Sequence, residues 1–425
     1  MSGQSLARAM PEASLAGAQR APGIKKPVRV LFYLFVLYMV LPLIDVPLLG
    51  LSLSAPIFFL IAMDIFFRPQ RPWLRRYRGW VLLAAAIWAG IFISALVNGL
   101  LSGGTDFDSD GVIAIVRYAY WLLVLVLTTY LVSEGQMGPF ISRLFAWSVL
   151  GLALMRWAEA LLYGNIGAWT GTHLMSQNGY GVQFSIFSPF LFTWLLETRG
   201  RQRWLAAAAN IALWGAAAIN GSRGSWVAIA AGAAVQLVIF MLVRPKATIP
   251  LVAVLLAAAG LGALVLSTPN VVSQAVESRF STFDRLDQDK SFVIRELMNQ
   301  KSLRLFANSP LIGVGVSRYT KESIPLDIPL ILQYAGQYHF DVKSAHNSYL
   351  GFLAENGLAG AIPFGLLLIT LTLRGGMSTL YMVRRGQLWP AGVLGAFAAM
   401  SVHMWAINSI TGSSTWFVYG LVAAL

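Results

Sequence analysis

The sequence predicts an all-α polytopic membrane protein with about 12 transmembrane helices and a large, partly helical loop on the outer side. Three observations lead there. Hydrophobic residues make up 57% and charged residues 12% of the 425 positions, with a mean hydropathy of +0.66. A soluble domain carries about 25% charged residues. Apolar runs of about 20 residues, the length a helix needs to cross the hydrocarbon core, recur along nearly the whole chain, whereas a β-barrel would show short alternating segments. Arginine and lysine cluster in alternate connections, the pattern of cytoplasmic loops.

Residues 1–27, rich in Ala, Gly, Ser and Pro, read as a cytoplasmic tail. Residues 28–266 hold nine spans: about Val28–Ile44, Leu48–Phe67, Trp80–Leu101, Val112–Val132, Phe140–Tyr163, Gly179–Leu196, Trp204–Ile219, Trp226–Val243 and Thr248–Leu266. The run RPQRPWLRRYR and the loops carrying Arg199, Arg201, Arg203, Arg244 and Lys246 mark the inside, and the acidic GGTDFDSDG marks the outside. Residues 267–345 form the long outer loop. In it Phe292, Val293, Leu297, Leu303 and Phe306 recur at roughly helical spacing, and Asn308 and Pro310 stop that helix. Nine Lys/Arg nearly cancel eight Asp/Glu there, so a bulk anion-binding surface is disfavoured and each base counts by its position. Residues 346–425 hold the last three spans, His346 to about Leu373, Leu388–Ile407 and Ser414–Leu425, with Arg374, Arg384 and Arg385 inside. As one straight helix the tenth would be about 42 Å long, so a break is expected near Gly357 or Gly360. The twelfth, at about 12 residues, is too short to cross alone.

Cysteine is absent, which excludes a disulfide framework, a thiol nucleophile and a cysteine metal site. No Walker loop, dinucleotide fingerprint or HExxH motif occurs, so no nucleotide or metal cofactor is expected. The net charge of +13 reflects inner loops that fix orientation rather than a nucleic-acid partner. His346 falls where the polar loop meets the apolar run, a place where an imidazole can take a proton from a hydroxyl. Arg117, Arg156 and Arg223 lie in or beside spans toward the outer surface, at a cost of about 2.5–3.5 kcal/mol for an arginine in mid-span. Arg156 can instead pair with Glu159 one turn on. Arg223 sits among Gly221, Ser222 and Gly224, where backbone N–H groups and a guanidinium can jointly hold phosphate oxygens. Together these bases suggest a phosphate-bearing ligand at the outer leaflet. His339 is a candidate to share the site of His346. His173 and His403 lack metal-ligand spacing, and His403 reads as a hydrogen-bonded helix residue of the eleventh span.

Four stretches carry a resemblance: SQNGYG (176–181), NGSRGS (220–225), SPLIGVGVSRY (309–319) and HNSYLGFLAENGLAG (346–360). In this order, with the long loop before the tenth span, they resemble the O-antigen ligase/polymerase superfamily of bacterial envelope enzymes. The resemblance implies a metal-independent, GT-C-like glycosyltransferase in the bacterial inner membrane, with both termini cytoplasmic and a periplasmic active site. The implied donor is a glycan on undecaprenyl pyrophosphate, and the acceptor, for a ligase, is the sugar of lipid A–core. Arg223, Arg156 and Arg117 would bind the pyrophosphate, and His346 would accept the proton of the attacking hydroxyl. Asn347, Arg295, Arg318 and His339 are further candidates for substrate contact. The lipid tail would lie between spans among membrane lipids. A polymerase using a second lipid-linked glycan as acceptor is the nearest alternative, disfavoured because the His346-Asn347 pair resembles the ligase form. A flippase or transporter would need paired mid-membrane charges and usually a repeated half, and the sequence shows neither.

Overall fold

The computed structural model describes residues 24–40, 54–67, 72–102, 109–164, 175–269, 271–281, 286–326 and 344–425. Among the described residues the elements are helices, with no strand. They are α1 (Lys26–Val40), α2 (Ser54–Phe66), a short α3 (Pro72–Arg76), α4 (Arg78–Leu101), α5 (Ser109–Gly135), α6 (Gly138–Tyr163), α7 (Gln177–Glu197) and α8 (Arg201–Asn220). Then follow α9 (Arg223–Val243), α10 (Thr248–Ser267), α11 (Val271–Phe280), α12 (Lys290–Asn308), α13 (Ser348–Arg384), α14 (Trp389–His403) and α15 (Ser413–Ala423). Each of the twelve expected spans overlaps a helix. Six helical segments are long and apolar enough to cross a membrane by length and composition: 78–101, 109–135, 138–163, 223–243, 245–264 and 348–384. The expectation of about twelve is thus met by six on that criterion. The shortfall has physical reasons. Helix α7 carries Gln177, Gln183 and several hydroxyls, α8 starts with Arg201 and Arg203, and α14 and α15 have 15 and 11 residues.

Helices packed in lipid gain little from the hydrophobic effect and rely on close contact and internal hydrogen bonds. Helix α9 shows both, the close contact against α14 and the hydrogen bonds to α7. A Cβ on Gly232 would stand 2.9 Å from the Gly395 carbonyl oxygen. On the same face of α9, buried Gln236 donates from Nε2 to the Pro189 carbonyl at 2.9 Å and to Thr193 Oγ1 at 3.1 Å. Helix α15 solves its own shortness differently. Thr415 to Val422 are all buried, Trp416 Nε1 donates to the Ile410 carbonyl at 2.8 Å, and Gly420 lies where a Cβ would meet Leu125 O at 2.7 Å. It is an internal helix packed against α5.

The expected break in the tenth region is present. Gly357 has φ 55° and ψ −158° inside α13 and divides it into two limbs. A break at membrane depth leaves backbone groups unpaired, and each costs several kcal/mol unless protein satisfies it. The segment Pro310–Gly315 does so. Val314 and Gly315 donate their N–H groups to the carbonyls of Ala354 and Glu355 at 3.0 and 2.9 Å, while Pro310 and Leu311 accept from Leu358 N and Ala359 N, both at 2.9 Å. Helix α4 holds the seam from outside, with Ser94 Oγ donating to Glu355 O at 3.0 Å and Asn98 Nδ2 to Gly313 O at 3.2 Å. A Cβ on Gly313 would lie 2.4 Å from the Glu355 carbonyl carbon, and one on Gly357 would lie 2.5 Å from Gly313 N. Two of the sequence motifs are therefore one structural unit.

Helix α12 packs on the first limb of α13 through a small core. Val293, Ile294, Leu297, Met298 and Leu305 meet Tyr319, Ala345 and Ala354. Its face is rotated from the expected one, with Phe292 and Leu303 being 40% and 50% exposed. The buried set follows i, i+1, i+4, i+5 from Val293, a stripe the apolar count alone does not single out. The starts of α7, α9 and α13 and the ends of α4, α8 and α14 gather at this end of the bundle. The opposite end carries Arg76, paired with Glu134 at 2.6 Å, together with Arg244, Arg384 and Arg385.

Candidate active site

Two clefts open at the α12 end, one on each side of a single connection. The first is built where two helices start. Ser176 caps α7 by accepting from Gly179 N at 3.0 Å, and the turn Gly221-Ser222 starts α9, with Gly221 in the left-handed region at φ 69°. Gln177 and Asn220 lock these turns together, each side-chain amide donating to the other's carbonyl at 2.7 and 2.9 Å. Ser222, Arg223, Asn178, Ser291, Arg295 and His403 line the cleft, whose open volume is about 480 Å³. The N-termini of α7 and α9 add partial positive charge from unpaired N–H groups.

Arg223 is held by Asp289, 2.7 Å away, with both side chains largely buried. Asp289 also caps α12, its other oxygen accepting from Phe292 N at 2.9 Å. That cap fixes α12, whose first turns bring Ser291 and Arg295 to the cleft on one face. Burial, and after it the charge of Arg223, pulls the Arg295 guanidinium below its ordinary value, with Asp289 opposing. Two guanidinium groups against one carboxylate leave the cleft short of negative charge. His403 closes the back wall at 3% exposure. Its Nε2 lies 3.4 Å from Ser225 Oγ, which is bonded to Ser222 Oγ at 2.8 Å. Among the described residues its buried Nδ1 has no hydrogen-bond partner.

His346 is not among the residues that line either cleft; it lies between Ala345, in the wall of the second, and Ser348, which is bonded to the 404–411 segment that borders both. It has φ 51°, a left-handed conformation that non-glycine residues adopt at a cost of about 1–3 kcal/mol where the surroundings over-determine it. The surroundings do so here. Asn347 caps α13, accepting at Oδ1 from Tyr349 N and Leu350 N, both at 3.1 Å. Fully buried Ser348 donates to the Ile407 carbonyl at 2.8 Å and accepts from Ser409 N at 2.9 Å. Its own N–H donates to Met404 O at 2.8 Å. The segment 404–411 is thereby stitched to the histidine. Ala406 and Ile407 line the arginine cleft, and Asn408, Ile410 and Thr411 line the other.

The second cleft is larger, about 920 Å³ of open volume, and includes Arg117, Tyr118, Trp121, Tyr319, Ala345 and Glu355 in its wall. Glu355 comes from the last turn before the break, and its Oε1 accepts from Tyr319 N at 3.3 Å. Tyr319 donates its hydroxyl to Met298 O at 2.7 Å. Burial pushes the Tyr319 phenol up to about 12, with the Ser302 hydrogen bond opposing, so it stays protonated as a donor.

Residues 186–365 match the family model described as O-antigen ligase. This match, over residues 186–365 of the 425, supports the O-antigen ligase/polymerase superfamily. The matched stretch runs from α7 into the second limb of α13 and contains Arg223, Asp289, Arg295, Arg318, His346 and Glu355, whereas Arg117, Arg156 and His403 lie outside it. No curated protein matches the chain.

The residues singled out in the sequence do not all meet. Arg223 and Arg295 share a cleft, and the His346 segment borders it through Ile407. Arg117 lines the second cleft instead. Arg156 lines neither. It is 1% exposed, 4.0 Å from Glu159, and donates to Ile219 O at 3.2 Å, which places it behind the α8–α9 turn as a brace. Arg318 faces Asn98 and Gly111 beside the second cleft and lies 3.6 Å from Glu322. Asn347 acts on backbone N–H groups. His339 and His173 lie outside the described residues. Two site residues went unassigned in the sequence: Asp289 was legible as a helix-capping acid before Lys290, and Glu355 as an ionisable group inside an apolar run. His403, read as a hydrogen-bonded helix residue, also lines the arginine cleft.

Proposed function

We propose that this protein is an O-antigen ligase. It would transfer a glycan from undecaprenyl pyrophosphate to the sugar of lipid A–core at the periplasmic face of the bacterial inner membrane, with about twelve membrane segments in a GT-C-like arrangement. The observation that carries the reading is the pairing of Arg223 and Arg295 in one cleft, whose Ile407 is hydrogen-bonded to Ser348, two residues after His346. Two preorganised guanidinium groups and two helix N-termini suit a leaving pyrophosphate, whose charge grows as the sugar departs. In the proposed step the acceptor hydroxyl oxygen bonds to the anomeric carbon. The carbon–oxygen bond to pyrophosphate breaks, the hydroxyl proton passes to His346, and undecaprenyl pyrophosphate leaves. One displacement inverts the anomeric centre. Arg223 and Arg295 bind and stabilise the leaving group, Asp289 orients Arg223, and the buried His403 imidazole forms part of the wall behind it. Arg156 supports the turn from behind.

The test is transfer by the purified full-length protein, given a lipid-linked glycan and O-chain-free lipopolysaccharide. The ligase reading expects glycosylated lipid A–core and free undecaprenyl pyrophosphate. Chain growth on lipid-linked repeats alone would make the protein a polymerase, and neither product would overturn the reading.

A further inference from the structure

The arginine cleft uses the cations, and the larger cleft across the His346 connection is left without a role. Among the described residues its charged groups are Arg117 and Glu355, whose formal charges cancel, so these residues do not favour a polyanion over a neutral ligand. Tyr118, Trp121 and Tyr319 give it aromatic faces, and Ser317, Thr320 and Thr411 give it hydroxyls. The Glu355 carboxylate is fixed from the backbone by Tyr319 N at 3.3 Å, and the residue is pinned through its own carbonyl by Gly315 N and Ser94 Oγ. A fixed carboxylate beside aromatic rings and hydroxyls suits a ligand with many hydroxyl groups and apolar ring faces.

Resting on the ligase reading, we infer that the cleft walled by Glu355, Arg117 and Tyr118 binds the acceptor saccharide, with Glu355 accepting hydrogen bonds from its hydroxyl groups. The placement agrees with the chemistry of a single displacement. The nucleophile must approach the anomeric carbon from the side opposite the leaving group. With pyrophosphate in the arginine cleft, the neighbouring cleft across residues 404–411 is the one we assign to that side, and Ser344 and Ala345, immediately before His346, form part of its wall. Glu355 is a specificity residue in this arrangement, and His346 stands between the two ligands.

The experiment uses the full-length protein in nanodiscs and two probes, undecaprenyl pyrophosphate and the delipidated core oligosaccharide of O-chain-free lipopolysaccharide. Glu355→Gln keeps an oxygen for Tyr319 N but loses the charge. It should weaken core-oligosaccharide binding about tenfold or more, as expected for losing a charged hydrogen bond, and raise KM for the acceptor. Affinity for undecaprenyl pyrophosphate and KM for the donor should not move. Arg117→Gln should act in the same direction, and Arg223→Ala should show the reverse pattern. Equal weakening of both probes, weakening of undecaprenyl pyrophosphate alone, or no change would each overturn the assignment. Wild-type protein that binds the pyrophosphate but no core oligosaccharide also overturns it while leaving the arginine cleft's role intact. Wild-type protein that binds both probes yet transfers nothing retains the saccharide site and removes the ligase reading.

Discussion

The two clefts are close neighbours and differ in kind. One gathers Arg223, Arg295 and the starts of α7 and α9 around a single carboxylate, and the other sets one guanidinium and one carboxylate among tyrosines and hydroxyls. Each is assembled from two of the four sequence motifs. SQNGYG meets NGSRGS at the first, where Gly181 allows the approach of Ser225 (a Cβ there would stand 2.2 Å from its Oγ). PLIGVGVSRY meets HNSYLGFLAENG at the second, across the break at Gly357. The contrast teaches that, on the proposed reading, charge and not proximity alone would sort the ligands: a concentrated cation pair for a diphosphate, a balanced polar wall for a sugar. What joins them is the stretch 404–411, fixed to Ser348 by three hydrogen bonds of 2.8–2.9 Å.

The strongest way to break this picture is at the connection. His346→Ala should lower transfer by about 10²–10⁴-fold, the usual contribution of a positioned base, while both probes bind as to wild type. Parallel loss of either binding event would make His346 a structural residue of that cleft. Next comes the cation pair. Arg223→Lys keeps the charge but loses the planar fork that matches phosphate. Transfer should fall roughly tenfold or more, with donor affinity weakened and acceptor affinity unmoved. The partner acid sharpens the same point. Asn is as good a helix cap as Asp, so Asp289→Asn should leave α12 in place while removing the competing charge. Undecaprenyl pyrophosphate should then bind several-fold more tightly, and weaker binding would mean that orientation of Arg223 outweighs neutralisation.

Much of this was legible in the sequence, and the omissions share a cause. The helical class, the break at Gly357 and the helix ending at Asn308 follow from apolar run length, glycine and proline, which are local signals. The bases near one end were visible too. Their grouping was not, because Arg117, Arg156 and Arg223 sit on three different helices whose facing directions depend on packing. Arg156 turned inward to the α8–α9 turn, Arg117 to the second cleft, and Arg295, ranked below them, took the place beside Arg223. The count of twelve spans rests on run length in the same way, since a helix such as α15 reads as apolar whether lipid or protein surrounds it. The segment 404–411 carries no motif at all. Its role comes from Ser348, a contact nearly sixty residues away in sequence.

A smaller effect tests the unit formed by two motifs. Gly357→Ala places a Cβ 2.5 Å from Gly313 N in a left-handed conformation, and overpacking of this kind costs about 1–3 kcal/mol. Thermal unfolding in detergent should shift down, and transfer should fall because Glu355 and the His346 connection share the affected limb. Gly365→Ala lies in the same helix with nothing within 4 Å of its Cβ and should leave both measurements unchanged. Equal effects of the two substitutions would detach the break from the site.

The smallest effect concerns Asn347, a residue whose position beside His346 suggests substrate contact. In the structure it is 1% exposed, and its Oδ1 is occupied by two backbone N–H groups of α13. An N-cap is worth about 1 kcal/mol, so Asn347→Ala should lower stability by that order and reduce transfer modestly through a looser His346. Serine caps as well as asparagine, and Asn347→Ser should therefore restore most of both losses. Rescue by serine separates the roles, because a short hydroxyl reproduces a bond to the backbone one turn on but cannot reproduce the reach of a side-chain amide toward a bound sugar. Failure of that rescue, with stability regained and transfer still low, would return Asn347 to the substrate and move the boundary of the saccharide cleft to include it.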